Sequence, residues 1–544
     1  MKRNARTSVF YATLLLGNCA WSNVSMAQGL LSDESQKQFN RILSPHASGV
    51  QLSATDPLSM RSSRDGFERL INWNRVALEV TAADHSRGPL DGYDQLGPHR
   101  ASRAMAIFHI AMYDAVNAIT KQYGSYSGIA DDAGQTPACV DAAISQAALT
   151  TLKALFPKET NRIDFANASD QASVAPTCSL AGADMAAGRA IGKKAADEIL
   201  RMRSTDNTPA FEKDFGSAQQ AMDNSAKFVH FDPGPGIWQP APQPRPVMDD
   251  PSTPNVNEST QPELSVALGY EWGKVTPFVL TEAAFNDAKP PPFPSLAGDD
   301  YAAQYDEVKR LGSETSVYRS ADEEVAGVFW AYDGTPELCA PPRFYNQLAM
   351  QVFEQNIVRR PELSEYNTVS GLARYLALIN TAMADAGIAA WEAKWRERVW
   401  RPVTAIRYAS NDEGNDATTP DAGWIPYGAP ATNGQANFTP PFPAYPSGHA
   451  AFGGALFEVL RHVWGENTSF GLVSDEFNGL NSPAGSLLKR DFVGKTFLRL
   501  SEAEWQNARS RIWLGIHWNV DAVEGVKQGN KIGKFVYENK FKPR

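Results

Sequence analysis

Cysteine and histidine are scarce in this chain, whose 544 residues include four cysteines and eight histidines. No two cysteines have the spacing of zinc ligands, and no HExxH-type cluster occurs. A zinc or iron enzyme is therefore disfavoured. An uninterrupted apolar run of the ~20 residues that a membrane span requires is also absent, so no transmembrane anchor is expected.

An excess of basic charge is missing as well. The formal net charge of −10 argues against a nucleic-acid partner. Residues 1–6 are basic, residues 8–21 are mostly apolar, and residues 25–27 are small at the cleavage positions, which predicts a signal peptide over residues 1–27. Its removal takes away three basic and no acidic residues, which leaves a net charge of −13. The mature protein is expected to be periplasmic or secreted.

Three cysteines remain after that cleavage. A Cys139–Cys178 disulfide is compatible with an oxidising compartment, and a pairing that involves Cys339 stays open.

Apolar residues at helical spacing predict an all-α protein. The spacing holds from about residue 69 to 200 and returns after residue 299, whereas dense proline between residues 231 and 294 excludes regular helix. In the C-terminal half, helices are predicted over residues 299–311, 322–332, 343–358, 365–399 and 502–529. The expected architecture is two helical bundles joined by a proline-rich connector over the surface, with the active site in the C-terminal bundle. The predicted parts are a signal peptide (1–27), an N-terminal bundle (28–230), the connector (231–297) and a catalytic bundle (298–544).

Lys394 and Arg401 form the first of three motifs. Their seven-residue separation is nearly two helical turns, which predicts that both cations lie on one helix face about 10 Å apart. Pro402 is expected to end that helix. Because lysine and arginine are mostly surface residues, a solvated basic stripe stays open as the alternative.

The second motif, Pro446-Ser447-Gly448-His449, leads from a proline-rich loop into an apolar helix over residues 450–464. Ser447 and Gly448 are therefore expected at the helix N-terminus, where free N–H groups and the helix dipole favour an oxyanion. His449 beside them can exchange a proton near neutral pH. The alternative is an ordinary serine cap next to a hydrogen-bonded histidine.

The third motif contains Arg511, His517 and Asp521. Positions 510, 514, 517 and 521 are predicted to share a narrow arc of one helix, with Asp521 one turn beyond His517. A carboxylate there would hold the Nδ1 proton and leave the Nε2 lone pair free. A core histidine is the alternative. Together the three motifs supply three cations and two imidazoles, which suit a tetrahedral oxyanion.

The three motifs, in this order, resemble the signature of the superfamily that unites vanadium-dependent haloperoxidases with bacterial acid phosphatases and type-two phosphatidate phosphatases. The similarity is greatest to the vanadium chloroperoxidases, since it extends beyond the motifs across roughly residues 270–530. The stretches that carry it are residues 329–334, 341–347, 385–388 and 440–454.

This resemblance implies a vanadate cofactor, with hydrogen peroxide and a halide as substrates and hypohalous acid as product. It makes His517 the vanadium ligand and His449 the acid–base group, while Lys394 polarises the peroxide. The implied oxyanion-binding residues are Lys394, Arg401, Ser447, Gly448, Arg511 and His517. Asp333 would fix Arg511, and Trp391 and Phe442 would line the halide side. Algal bromide enzymes commonly have a histidine where Phe442 stands, so the chain leans toward chloride.

The same residues would serve a secreted acid phosphatase with a phosphohistidine at His517. A non-catalytic oxyanion-binding protein is a further alternative, but it would not need His449 at the helix start. The haloperoxidase is favoured because Trp391 and Phe442 match and the membrane helices of lipid phosphatases are missing. The sequence leaves halide preference, organic acceptor and oligomeric state undetermined.

Overall fold

Helices dominate the part of the chain that the structure describes, which confirms the all-α class. The computed structural model describes residues 66–86, 93–214, 229, 234–239, 266–335, 337–408, 414–430, 437–479 and 488–544. The expected signal peptide lies outside these residues. The α-helices are α1 (Phe67–His85), α2 (Gly97–Thr120), α3 (Val140–Leu155), α4 (Thr160–Leu180), α5 (Met185–Arg203), α6 (Glu282–Asp287), α7 (Asp299–Leu311), α8 (Ala321–Phe329), α9 (Pro341–Asn356), α10 (Val369–Glu397), α11 (Pro402–Tyr408), α12 (Gly448–Trp464), α13 (Leu500–Trp513) and α14 (Asn519–Asn539).

Strands within the described residues form two short antiparallel pairs. Strand β1 (Lys213–Asp214) pairs with β2 (Val266–Ala267), and β3 (Phe470–Val473) pairs with β4 (Gly494–Phe497). Among the described helices, none is both long and apolar enough to cross a membrane.

Helix α10 is the central element of the core. It is rich in alanine, glycine and large apolar residues on all its faces, and nearly every residue from Val369 to Trp395 is buried. Such an all-round apolar helix must be covered on every side. Helix α2 packs along it from the N-terminal half, and α12 and α14 pack on it from the C-terminal half. One hydrophobic cluster thus contains residues of both predicted bundles, and the boundaries of those bundles remain a prediction.

The described parts of the proline-rich connector do not simply lie over the surface. Trp238 and Trp272 are buried, and the carbonyl oxygen of Leu268 accepts a hydrogen bond from the indole of Trp391. Large aromatic side chains of this segment thus reach the core, while its course over the surface and its bounds remain a prediction. The Cys139–Cys178 disulfide is formed, and Cys339 is a buried free thiol.

The predicted helix over residues 502–529 is two helices, α13 and α14, separated by residues 514–518. Gly515 has a φ of +71°, and a Cβ there would lie 2.3 Å from the carbonyl oxygen of Gly312. The glycine therefore allows both the left-handed turn and the close approach of two backbones. The predicted helical arc through positions 510, 514, 517 and 521 is wrong for this reason.

Pro402 starts a helix and does not end one. Helix α10 ends at Glu397, and Arg398 follows in the left-handed conformation with a φ of +53°. Pro402 is the first residue of α11, a position where the missing N–H of proline costs nothing. Arg401 therefore lies in the turn between two helices, not on a face shared with Lys394.

Gly515→Ala is expected to destabilise the protein by about 3 kcal/mol, because both the left-handed backbone and the contact with Gly312 oppose a Cβ. Gly182→Ala is the matched control. Gly182 has a φ of +62°, and a Cβ built on it would have nothing within 4 Å. Its replacement by alanine should therefore lower the free energy of unfolding by only about 1 kcal/mol. Urea denaturation measures both. Equal losses would contradict the role given to the Gly312 contact.

Candidate active site

Lys394 and Arg401 are both fully buried, which excludes the solvated basic stripe. The Nζ of Lys394 donates to the carbonyl oxygens of Pro443 and Ala444 at 2.8 and 2.9 Å. Arg401 donates from Nε to the carbonyl oxygen of Phe442 at 2.9 Å. The two cations are thus held by the loop that leads into α12, and this loop brings the first and second motifs together.

Ser447 and Gly448 lie at the start of α12, as the sequence predicts. Ser447 is the N-cap, and its hydroxyl accepts the N–H of Ala450 at 3.4 Å. A Cβ added to Gly448 would lie 3.3 Å from the Trp391 ring and 3.9 Å from Cε of Lys394. The helix start therefore faces the lysine, and a side chain at position 448 would press on the Trp391 ring.

His449 has a defined tautomer in this arrangement. Its Nε2 contacts the carbonyl oxygen of Ala331, which can only accept, so Nε2 carries the proton and Nδ1 carries the lone pair. The His449 carbonyl oxygen accepts from the Asn507 amide at 3.1 Å, and the Tyr345 hydroxyl donates to the Asn507 side-chain oxygen at 2.8 Å. These contacts fix the backbone of His449 independently of its ring.

His517 has the complementary tautomer. Arg401 Nη1, which can only donate, lies 3.0 Å from Nε2 of His517, so Nε2 must carry the lone pair. The proton is then on Nδ1, 2.7 Å from Oδ2 of Asp521. The predicted pairing of His517 with Asp521 is present, although a turn before α14 makes it and not a continuous helix.

Arg511 on α13 meets Asp333 in the segment after α8. Its Nη2 donates to Oδ1 of Asp333 at 2.6 Å, and both side chains are buried. Tyr332, just before Asp333, has a φ of +46°, a conformation that is rare for a bulky residue. Its ring stacks on Phe344 with centroids 4.5 Å apart. This packing keeps Asp333 directed at the arginine.

The pKa values of four basic groups in this region are lowered, which disfavours their positively charged forms. Burial lowers the pKa of Lys394 well below its usual value, and nearby Arg401 and Arg511 act in the same direction. Burial likewise lowers the pKa of Arg401 to about 9. The pKa values of His449 and His517 are also lowered, first by burial and then by neighbouring arginines. These groups influence one another strongly, as expected for side chains around one small volume.

An oxyanion fits this set of groups. Nη2 of Arg401 and both Nε and Nη1 of Arg511 are buried without a hydrogen-bond partner among the described residues. When all are ionised, the three cations exceed the two carboxylates Asp333 and Asp521 by one positive charge. A buried anion that accepts several hydrogen bonds would satisfy the free N–H groups. Its negative charge would also raise the lowered pKa values of the basic side chains.

Trp391 and Phe442 form an aromatic wall beside the cations. Their ring centroids are 5.1 Å apart. Nζ of Lys394 lies 5.7 Å from the Trp391 ring centroid and 5.1 Å from that of Phe442. The structure thus brings all eleven of the site residues predicted from the sequence into one connected region.

Sequence reasoning missed the residues that hold this region from outside. Tyr345 and Asn507 support His449. The Glu476 carboxylate, which interacts electrostatically with Asp333, accepts a hydrogen bond from Arg490 at 2.9 Å. Tyr345 falls in the stretch 341–347 that resembles the chloroperoxidases, which was the only available signal for it. Asn507 and Glu476 carry no motif that could have marked them.

The wild-type protein is expected to lose stability between pH 6 and 8 relative to Glu476→Gln. Burial raises the pKa of Glu476 to about 8, and Asp333 adds to this while Arg490 opposes it. The unfolded chain ionises near pH 4.5, so the folded state holds a proton that the unfolded state lacks until about pH 8. Stability falls as the pH rises through that window, by about 2–3 kcal/mol. Urea denaturation of both proteins across the range checks this, and parallel curves would contradict it.

The geometry defines an α-helical protein with a buried cluster of cationic side chains and two histidines that an oxyanion would fit. Residues 374–542 match a family model described as the VCPO second helical-bundle domain. The chain is 30% identical over 507 residues to vanadium chloroperoxidase of Curvularia inaequalis, covering 83% of this chain and 79% of that protein. The chain belongs to the vanadium-dependent haloperoxidase family.

Solved structures share the fold. A bacterial vanadium-dependent iodoperoxidase aligns with a TM-score of 0.60 at 23% identity, covering 87% of this chain and 96% of that one. The holo form of a bacterial vanadium-dependent chloroperoxidase aligns with a TM-score of 0.54 at 14% identity, covering 84% and 94%. At these identities the likeness concerns the fold alone.

Proposed function

We propose that the protein is a vanadate-dependent haloperoxidase that oxidises chloride or bromide with hydrogen peroxide to hypohalous acid. The observation that carries the proposal is the combination of buried, unpartnered guanidinium N–H groups on Arg401 and Arg511 with the Nε2 lone pair of His517. The free N–H groups can donate hydrogen bonds to the oxygens of a tetrahedral anion, and the lone pair can coordinate its central metal atom.

Vanadate would be held by Lys394, Arg401, Arg511, the Ser447–Gly448 helix start and His517. When bound, it supplies a Lewis acid that activates peroxide without a change in its own redox state. Asp521 would keep the Nδ1 proton on His517, so that Nε2 remains a ligand. Asp333 would hold Arg511 in place through their ion pair.

His449 would handle the proton of hydrogen peroxide. Its Nδ1 carries the lone pair because Nε2–H is donated to Ala331, and the lowered pKa keeps the imidazole neutral and able to accept a proton. Lys394 uses two N–H bonds on Pro443 and Ala444, which leaves a third to polarise a peroxide oxygen. Opposite charge in the pocket would favour its ammonium form.

The halide would enter along Trp391 and Phe442. The buried cations would offset the cost of removing water from a monovalent anion, because the apolar wall lowers the local dielectric constant and strengthens their attraction. The relative from Curvularia inaequalis is named a chloroperoxidase and the bacterial neighbour an iodoperoxidase, so halide preference within this fold differs among proteins. In our proposal Phe442 favours chloride over bromide.

We also place the protein outside the cytoplasm, in the periplasm or as a secreted enzyme. The Cys139–Cys178 disulfide supports an oxidising compartment. Fractionation of cells that express the full chain, followed by mass determination of the mature N-terminus, tests this.

The activity test uses purified protein dialysed free of phosphate. Peroxide-dependent bromination and chlorination are measured with and without orthovanadate, beside hydrolysis of p-nitrophenyl phosphate. Halogenation that requires vanadate is the expected result. Hydrolysis inhibited by vanadate, with no halogenation of any halide, would favour the acid phosphatase.

A further inference from the structure

Trp391 is supported by a histidine from the N-terminal half of the chain. His99 on α2 is fully buried, and its ring stacks on the Trp391 indole with centroids 5.3 Å apart and planes 26° from parallel. Trp272 packs edge-on against the same histidine with centroids 4.6 Å apart. His99 belongs to none of the three motifs, yet it touches the wall of the candidate active site.

Glu212 connects His99 to a second support of the same indole. One carboxylate oxygen lies 3.0 Å from Nε2 of His99, and the other accepts the N–H of Gly269 at 2.6 Å. Gly269 has a φ of +73°, and a Cβ there would lie 2.1 Å from the Trp391 ring. The neighbouring Leu268 carbonyl oxygen accepts from the indole N–H at 3.0 Å. One carboxylate therefore holds two of the groups that contact Trp391, His99 and Gly269.

The negative charge of the Glu212 carboxylate is balanced by the neighbouring Arg100. Nε of Arg100 donates to Glu212 at 2.5 Å. Burial lowers the pKa of His99, so the imidazole is neutral and donates Nε2–H, and Arg100 supplies the compensating charge. Burial alone would raise the pKa of Glu212, but its contacts with His99, Arg100 and the Gly269 amide hold it at about 2. The support stays ionised and fixed across the neutral range.

Displacement of Trp391 would change the aromatic wall while leaving the anion ligands in place. Among the described residues, no hydrogen bond or ion pair joins His99 or Glu212 to Arg401, Arg511 or His517, whereas Trp391 lies against Phe442. We infer that His99 and Glu212 are positioning residues that set the location of the Trp391 indole and thereby the fit of the halide. This inference rests on the proposed function, because it takes the Trp391 side of the pocket as the halide side.

The test uses the full-length protein labelled with 5-fluorotryptophan, in which a Trp391→Phe variant assigns the Trp391 resonance among the 13 tryptophans. Glu212→Gln keeps the shape but weakens the hold on Gly269, and His99→Phe keeps the stacking but loses the bond to Glu212. In both, the Trp391 resonance should shift and the KM for halide should rise roughly tenfold. The kcat at saturating halide and the affinity for orthovanadate should change by less than about twofold.

Glu271→Gln is the matched control, since Glu271 pairs with Lys274 in the same segment at 2.9 Å. It should leave the resonance and the KM unchanged. An unmoved Trp391 resonance, or an unchanged halide KM in folded variants, would overturn the inference. So would a parallel fall in kcat and orthovanadate affinity, which indicates a general structural role. If the wild type shows no halogenation with vanadate, the proposed function fails, while the resonance alone still decides whether Glu212 and His99 position Trp391.

Discussion

His517→Ala is expected to lower vanadate-dependent halogenation by at least about 10³-fold, because it removes the imidazole whose Nε2 lone pair is proposed to bond to the metal. The structure fixes that lone pair on Nε2 from both sides: Arg401 donates to Nε2, and Asp521 accepts from Nδ1. The variant should also weaken orthovanadate binding strongly, since charge contacts alone would remain. Isothermal titration with orthovanadate and the bromination assay measure the two effects.

His462→Ala is the control for a general effect of histidine loss. His462 stacks on Tyr537 with centroids 4.5 Å apart and lies near Glu458, at the C-terminal end of α12. Its replacement should leave halogenation within about twofold of wild type, as is usual for a substitution away from a site. Vanadate-stimulated turnover of His517→Ala at wild-type rates would rule out His517 as the metal ligand.

His449→Ala is expected to lower turnover while it leaves the affinity for orthovanadate nearly unchanged. Loss of a general acid–base group typically lowers turnover about 10²- to 10⁴-fold. The backbone of position 449 should stay in place, because Asn507 holds its carbonyl oxygen and not its ring. Orthovanadate affinity should therefore remain within a few-fold of wild type, roughly the effect of one lost contact.

Steady-state kinetics and titration on the same preparation decide this case. A variant that binds orthovanadate and halogenates at the wild-type rate would remove the acid–base role of His449. A variant that loses binding and turnover together would show that His449 mainly shapes the anion site. Only retained binding with lost turnover agrees with the proposal.

Helices that follow from the local periodicity of apolar residues can be predicted from the sequence. The predicted helix over residues 299–311 has the observed bounds of α7, and the apolar helix after Ser447 is present as α12. The N-terminal position of Ser447 and Gly448 also followed, because serine is a strong cap and proline precedes it. These features depend on residues close together in the chain.

Backbone turns set by distant partners were not predictable. The break between α13 and α14 depends on Gly515 meeting Gly312, some two hundred residues earlier. The end of α10 depends on Arg398 in a left-handed conformation, which nothing in the sequence indicates for an arginine. The His517–Asp521 pair was predicted from helix geometry and is present for a different reason. Its four-residue spacing also suits a turn that enters a helix.

The supporting network of Glu212, His99 and Trp391 could not be predicted from the sequence either. These residues lie more than one hundred positions apart, and each alone is typical of an ordinary core or surface position. The packing of α2 along α10 brings His99 to Trp391, and the segment just before β1 adds Glu212. The resemblance to known haloperoxidases indicated the inner residues of the site, and the structure adds the outer ones.

A crystal structure of the protein soaked with orthovanadate, with anomalous diffraction recorded at the vanadium edge, tests the central claim most directly. One strong vanadium peak is expected beside Nε2 of His517, within reach of the free N–H groups of Arg401 and Arg511. A peak elsewhere, or none at saturating orthovanadate, would contradict the claim.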